Sequence, residues 1–72
     1  MLYAQRYEAL RRQLVKARTD AGLTQVELAR RLGKGQSFVS KIETGERYLD
    51  VLQFVLWCEC CGVSAGGLIG TI

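Results

Sequence analysis

Apolar residues at Tyr3, Tyr7, Leu10, Leu14, Ala17 and Ala21 step by alternating fours and threes, the period of one face of an α-helix. Arg6, Arg11, Arg12 and Lys16 fall on the opposite face. Gly22 is placed to end this helix in a left-handed conformation, and Thr24 with Glu27 three residues later forms a capping box for the next. Leu28, Ala29 and Leu32 mark the buried side of that second helix, and Gly33 closes it. The turn Gly33-Lys34-Gly35 leads into a third helix with Val39 and Ile42 inward and Gly45 at its end. A fourth starts at Asp50 with Gln53 at its third helical position, and Leu49 and Phe54 are spaced as a hydrophobic staple. Along it Val51, Phe54, Val55, Cys58 and Cys61 keep inward spacing, and Gly62 supplies the cap. Ser64 is positioned to open a fifth, short helix. Against that helix stand Gly66 and Gly67 in its first turn, each costing about 1 kcal/mol relative to alanine, and the lack of an acidic residue to complement the dipole. The pattern predicts an all-α, compact bundle of four to five helices in one domain over residues 1–72, with no proline, strand alternation, repeat or low-complexity linker.

The second and third helices, joined by a glycine-bearing turn over about residues 24–45, have the layout of a helix-turn-helix. The third carries apolar side chains on one face and, on the other, polar side chains long enough to reach base edges. At its start Gln36 and Ser37 would point into a major groove, where glutamine can pair bidentately with adenine N6 and N7. Lys41, one turn beyond Ser37, could donate to guanine O6 and N7. Gln25 occupies the first turn of the second helix, where free backbone amides and the positive dipole end offer a seat for phosphate. Lys34 in the turn, Ser40, and Arg47 after the third helix are further candidate phosphate contacts. Phe38 has two readings of equal standing: an aromatic that meets a thymine methyl, or a cover for the edge of the core.

These residues resemble the DNA-binding domains of the lambda repressor and Cro-like family, also called the Xre family. The resemblance runs from about Leu14 to Ile69. It is carried by Leu23-Thr24-Gln25 with Glu27-Leu28-Ala29, then Val39-Ser40-Lys41-Ile42-Glu43 with Gly45-Glu46-Arg47. It implies a lambda repressor-like helix bundle that binds double-stranded operator DNA as a homodimer. It places Gln36, Ser37 and Lys41 among positions that touch bases, and Gln25 at a position that clamps the DNA backbone. It also matches Arg18 and Glu43 to a structural salt bridge between the first helix and the end of the third. The chain departs from the family at Gly35, where a small hydroxyl residue is common. Glycine can still cap a helix there but offers no side-chain contact.

Composition changes the picture in three ways. The net charge is only +3, but all ten Lys and Arg residues lie at or before Arg47, so the front of the chain is basic and the rest mildly acidic, as suits a front that faces phosphate. No apolar run approaches the ~18 residues that cross a bilayer, and the N-terminus lacks the order of a signal peptide. A cytoplasmic protein is expected, bacterial or phage-encoded and nucleoid-associated. Finally, there is no histidine, no convincing metal set and no phosphate-binding glycine motif after a strand, which argues against an enzyme, a metal site or a cofactor.

Cys58, Cys60 and Cys61 are odd in number and clustered, which argues against a secreted disulfide framework and predicts reduced thiols. The C-x-x-C spacing of Cys58 and Cys61 superficially suggests redox chemistry or zinc, but both fall on inward positions, where thiols pack as small hydrophobes. Outside the inward set, Leu52, Leu56 and Cys60 repeat every four residues and form a second apolar stripe. In similar proteins these positions are commonly charged or polar. The stripe is either a homodimer interface or is covered within the monomer by Leu68, Ile69 and Ile72, and the dimer is the favoured reading. Trp57 is assigned to the core. Met1, Leu2 and Tyr3 can pack in either arrangement.

The whole predicts a repressor that blocks a promoter by occupying a roughly palindromic operator. The alternatives are an antitoxin, whose stripe would hold a toxin, a restriction-modification controller, or a protein-interaction adaptor that has lost DNA binding.

Overall fold

Two capping boxes and four left-handed glycines divide this chain into its helices. The computed structural model describes residues 2–72, without the side chains of Leu2 and Tyr3. The order is α1 (Leu2–Asp20), α2 (Gln25–Leu32), α3 (Gln36–Thr44), α4 (Val51–Cys61) and α5 (Ala65–Ile69), with no strand among the described residues. At the start of α2 the Glu27 amide donates to Thr24 Oγ1 at 3.1 Å while the Thr24 amide donates to Glu27 Oε1 at 3.0 Å. Asp50 and Gln53 repeat that exchange at the start of α4, at 2.8 and 2.9 Å. Each box satisfies two backbone groups that a helix start otherwise leaves to water.

Leu14, Leu28, Val39, Ile42, Trp57 and Cys58 are fully buried and bring one face each of α1, α2, α3 and α4 to a common centre. Burying such aliphatic side chains stabilises the fold by roughly 1.5–3 kcal/mol each. Trp57 adds a tie between helices, since its indole Nε1 donates to the Leu14 carbonyl at 3.1 Å and so buries no unpaired donor. The α2 helix packs against both α3 and α4, α1 lies across α3 and α4, and α5 closes the far end of α4. The basic α1–α3 region and the apolar α4–α5 region thus share one core.

One expectation that the sequence leaves open is decided by the structure, and two local readings need correction. The short fifth helix forms despite Gly66 and Gly67: Ser64 Oγ accepts the Gly67 amide at 3.0 Å and Leu68 enters the core, and these gains offset the glycine entropy. Val51, expected inward, is 76% exposed. It is the first residue of α4, and the core beneath that turn is reached by Leu49 and Phe54 instead. Ala21 is exposed because the chain leaves the helix after Asp20, turning at Gly22 so that Leu23 is buried. The expected packing of Met1, and of the Leu2 and Tyr3 side chains, lies outside the described residues.

Candidate nucleic-acid interface

The α2–α3 corner is made by Gly33, whose φ of 69° lets its amide and that of Lys34 bond back to the last turn of α2. A residue with a side chain would be strained in that conformation. Gly35 then caps α3 in an extended conformation with no side-chain bond. The effect is to aim the first turn of α3 outward, and Gln36, Ser37 and Lys41 are all exposed along one side of it. Ser40 is half-buried between that side and the core.

A chain of polar contacts joins this outward face to α1. Arg18 grips Glu43 through Nε at 2.6 Å and Nη2 at 3.0 Å, with the two side chains only 13% and 7% exposed. A third donor of the same guanidinium reaches the Leu23 carbonyl at 2.8 Å. Glu43 Oε1 also accepts Gln25 Nε2 at 2.9 Å, and Gln25 Oε1 in turn accepts Gln36 Nε2 at 2.7 Å. The carboxylate dictates the direction of the whole series. Because Glu43 can only accept, Gln25 must present its amide nitrogen inward and its oxygen to Gln36. Gln36 is left with one amide hydrogen and its carbonyl oxygen, the donor and acceptor that complement adenine N7 and N6.

The trailing end of α3 is held from α1 as well. Arg11 Nη1 donates to the Glu43 carbonyl at 3.1 Å, and its guanidinium lies over Gly45, where a β-carbon would come within 3.1 Å of Arg11 Cζ. Tyr7 and Tyr48 meet edge to face with centroids 4.7 Å apart. Sequence spacing gave no signal for either contact, since the partners lie more than thirty residues apart. Phe38, for which two readings stood open, is 9% exposed and covers the edge of the core. Lys34 Nζ and Arg47 Cζ approach its ring, at 5.3 and 5.0 Å from the centroid. Both cations are themselves exposed.

On the other side of the molecule Leu52 and Leu56 are 74% and 49% exposed, and Cys60 is half-buried. Leu68 is taken into the core, Ile69 is exposed, and Ile72 lines a groove with Arg6, Tyr7 and Leu10. The tail therefore does not cover the leucine stripe. Cys58 and Cys61 are buried free thiols, and desolvation raises both pKa values, that of Cys61 to about 11 with the neighbouring cysteines adding to the rise. They are held protonated, the form that neither ligates a metal nor attacks a disulfide. Among the described residues no three His, Cys, Asp or Glu side chains are grouped to hold a metal ion, and no helix is long and apolar enough to cross a membrane.

The helix-turn-helix family profile matches residues 14–68. A solved structure of an XRE-family like protein from Pseudomonas syringae pv. tomato str. DC3000 is 47% identical in sequence, over 97% of this chain and 85% of that one, and superposes with a TM-score of 0.93. No curated protein matches the chain.

Proposed function

The chain belongs to the XRE-type helix-turn-helix family of DNA-binding regulators, and from that premise we propose that it is a repressor that occupies a roughly palindromic operator as a homodimer. In this reading α3 lies in the major groove, with Gln36, Ser37 and Lys41 reading base edges. Gln25, Lys34, Ser40 and Arg47 hold phosphates on either side, and Arg18 with Glu43 fixes the angle between α1 and α3. The protein performs no catalysis and needs no cofactor. It works on the chromosome of a bacterium or on phage DNA, in the cytoplasm.

The observation that carries the reading is the Glu43–Gln25–Gln36 series. It orients the Gln36 amide before DNA arrives, so the rotamer entropy of a long side chain is already lost in the free protein. A solvated surface glutamine would have no such anchor.

Dimerisation is assigned to the α4 stripe of Leu52, Leu56 and Cys60. Leucines this exposed on a basic domain are costly to leave in water, and a twofold contact there leaves α3 of each copy free. The molecule measures 33 × 24 × 20 Å, so two abutting copies suit recognition helices about 34 Å apart, one turn of DNA.

Genome-fragment selection and footprinting of wild type against a Gln36→Ala, Lys41→Ala double variant at fixed salt tests the recognition helix. A short inverted repeat protected by wild type alone is the expected result. Equal, weak, salt-sensitive binding by both proteins would overturn it and favour an adaptor. Sedimentation of a Leu52→Glu, Leu56→Glu variant tests the stripe, with a folded monomer expected. A wild type that sediments as a monomer would overturn the homodimer, and one that co-purifies with a neighbour-encoded protein on this face would favour the antitoxin reading.

A further inference from the structure

We propose that Phe38 is a positioning residue for the DNA backbone: its ring gathers Lys34 and Arg47, from beyond opposite ends of α3, into one two-cation clamp on neighbouring phosphates. The proposal rests on the reading that α3 enters the major groove.

The two cations arrive from distant places in the local fold. Lys34 precedes the first residue of α3, Arg47 follows its last, and the nine-residue helix between them is about 14 Å long. Even so, both charged groups lie beside one ring, at 5.3 and 5.0 Å from its centroid, and hence within about 10 Å of each other. Two like charges do not draw together unaided. The negative face of an aromatic quadrupole offsets part of their repulsion, and a ring locked at the edge of the core is a fixed point to gather around.

The ring also solves a problem that a carboxylate would not. Elsewhere in this protein cations are held by acids, as Lys16 is by Asp20 and Arg18 by Glu43. Such a partner neutralises the charge it positions. A neutral ring orients Lys34 and Arg47 and leaves both charges available to an incoming anion. Neither side chain has an ion pair or side-chain hydrogen bond among the described residues. Phe38 lies one residue beyond Ser37 and three before Lys41, so the gathered charges sit beside the base-reading face of the same helix. The anion that fits there is the sugar-phosphate backbone at the edge of the groove. Phe38 thus serves recognition while buried, and touches no base.

The test is binding to the selected operator and to a scrambled duplex across a range of salt. The proteins compared are wild type, Lys34→Ala, Arg47→Ala and their double variant, each made with the native ring and again in combination with Phe38→Leu or Phe38→Tyr. The double cation variant is expected to weaken both duplexes alike and to reduce the slope of log affinity against log salt by about two. Phe38→Leu retains every charge, yet is expected to weaken both duplexes about tenfold, with Phe38→Tyr restoring binding. In the leucine background the two alanine changes are expected to cost less than in wild type. If Phe38→Leu is too unstable to fold, Phe38→Met supplies a flexible side chain of similar volume without a ring. Full alanine costs in a ringless background, or unchanged binding by a folded ringless variant, would overturn the clamp while leaving the recognition helix in place. Wild type that binds no duplex would overturn both.

Discussion

The two seams that α1 makes, one with α3 and one with α4, are built from opposite chemistry. Against α3 the contact is polar and directional: Arg18 on Glu43, Arg11 on the Glu43 carbonyl, and the glutamines beyond. Against α4 it is apolar, around Leu14, Trp57, Cys58 and Cys61, with the Trp57 indole donating to the Leu14 carbonyl. Apolar burial is strong but indifferent to small rotations, whereas a bidentate ion pair fixes an angle. The helix proposed to present side chains to DNA is held by the contact that sets orientation. The helix that supplies bulk stability is held by the contact that yields most energy.

The largest effect should therefore come from the apolar seam. Trp57→Ala removes the largest fully buried side chain and is expected to cost about 3–5 kcal/mol, read by urea denaturation. For a chain of this size that is a large part of the total stability, so the variant should be substantially unfolded near 37 °C. Survival with a loss under about 1 kcal/mol would mean that the seam had collapsed around the gap, and the division between the two seams would fail.

Arg18→Met attacks the polar seam. Glu43 would keep its burial and lose its charge partner, at an expected cost of about 3 kcal/mol, the low end for a buried pair. The informative readout is different from that of Trp57→Ala. Under conditions where Arg18→Met is still folded, operator discrimination should fall by more than affinity for random duplex, because Gln25 and Gln36 hang from the same carboxylate. Equal loss on both duplexes would make the pair a matter of stability alone.

Much of this architecture was legible in the chain, and what was not shares one physical cause. Helix boundaries are written locally: Thr24 with Glu27, Asp50 with Gln53, and glycines at 22, 33, 45 and 62 all act within four residues, and each does so in the structure. The all-α fold follows from periodicity. The inner connections of the interface were not readable, because Arg11 meets Gly45 and Glu43, and Gln25 meets Glu43, across eighteen or more residues. No spacing rule links such positions. The ion pair of Arg18 and Glu43 was visible only through resemblance to a family. Phe38 fell between, since its helical position allowed core or groove and only the approach of Lys34 and Arg47 gave it a purpose. The fifth helix, for which the chain carries signals both ways, shows weak local propensity outweighed by one buried leucine and a serine cap.

A smaller effect separates glycines that look alike in sequence. Gly33 and Gly45 both close a helix with positive φ, and either becomes strained as alanine, by about 1 kcal/mol. Gly33 has open space around a β-carbon, whereas Gly45 lies beneath Arg11. Gly45→Ala should cost more than Gly33→Ala by thermal denaturation, and it alone should loosen Arg11 from the Glu43 carbonyl. Equal losses would mean that the Arg11 contact contributes nothing to holding α3.

The mildest probe is pH, and it addresses the two regions from opposite ends. In the basic region the Thr24 backbone and side-chain hydrogen bonds hold the Glu27 carboxyl below its ordinary 4.5. A lowered pKa means stability that is complete above the unfolded value and lost as pH falls through the folded one. In α4 the sign reverses. Burial keeps the Cys61 thiol protonated to about 11, so the unfolded chain ionises first, and stability falls as pH rises from about 9 towards 11. Denaturation across pH should then show an acid limb that Glu27→Gln flattens, since glutamine retains the capping geometry without a titrating group. It should also show an alkaline limb that Cys61→Ala makes shallower, with the buried Cys58 thiol supplying a part of the same sign, and that Glu27→Gln leaves alone. Were Cys61→Ala to leave the alkaline limb wholly unchanged, the thiol would be reached by water, and α4 would be looser against the core than its burial implies.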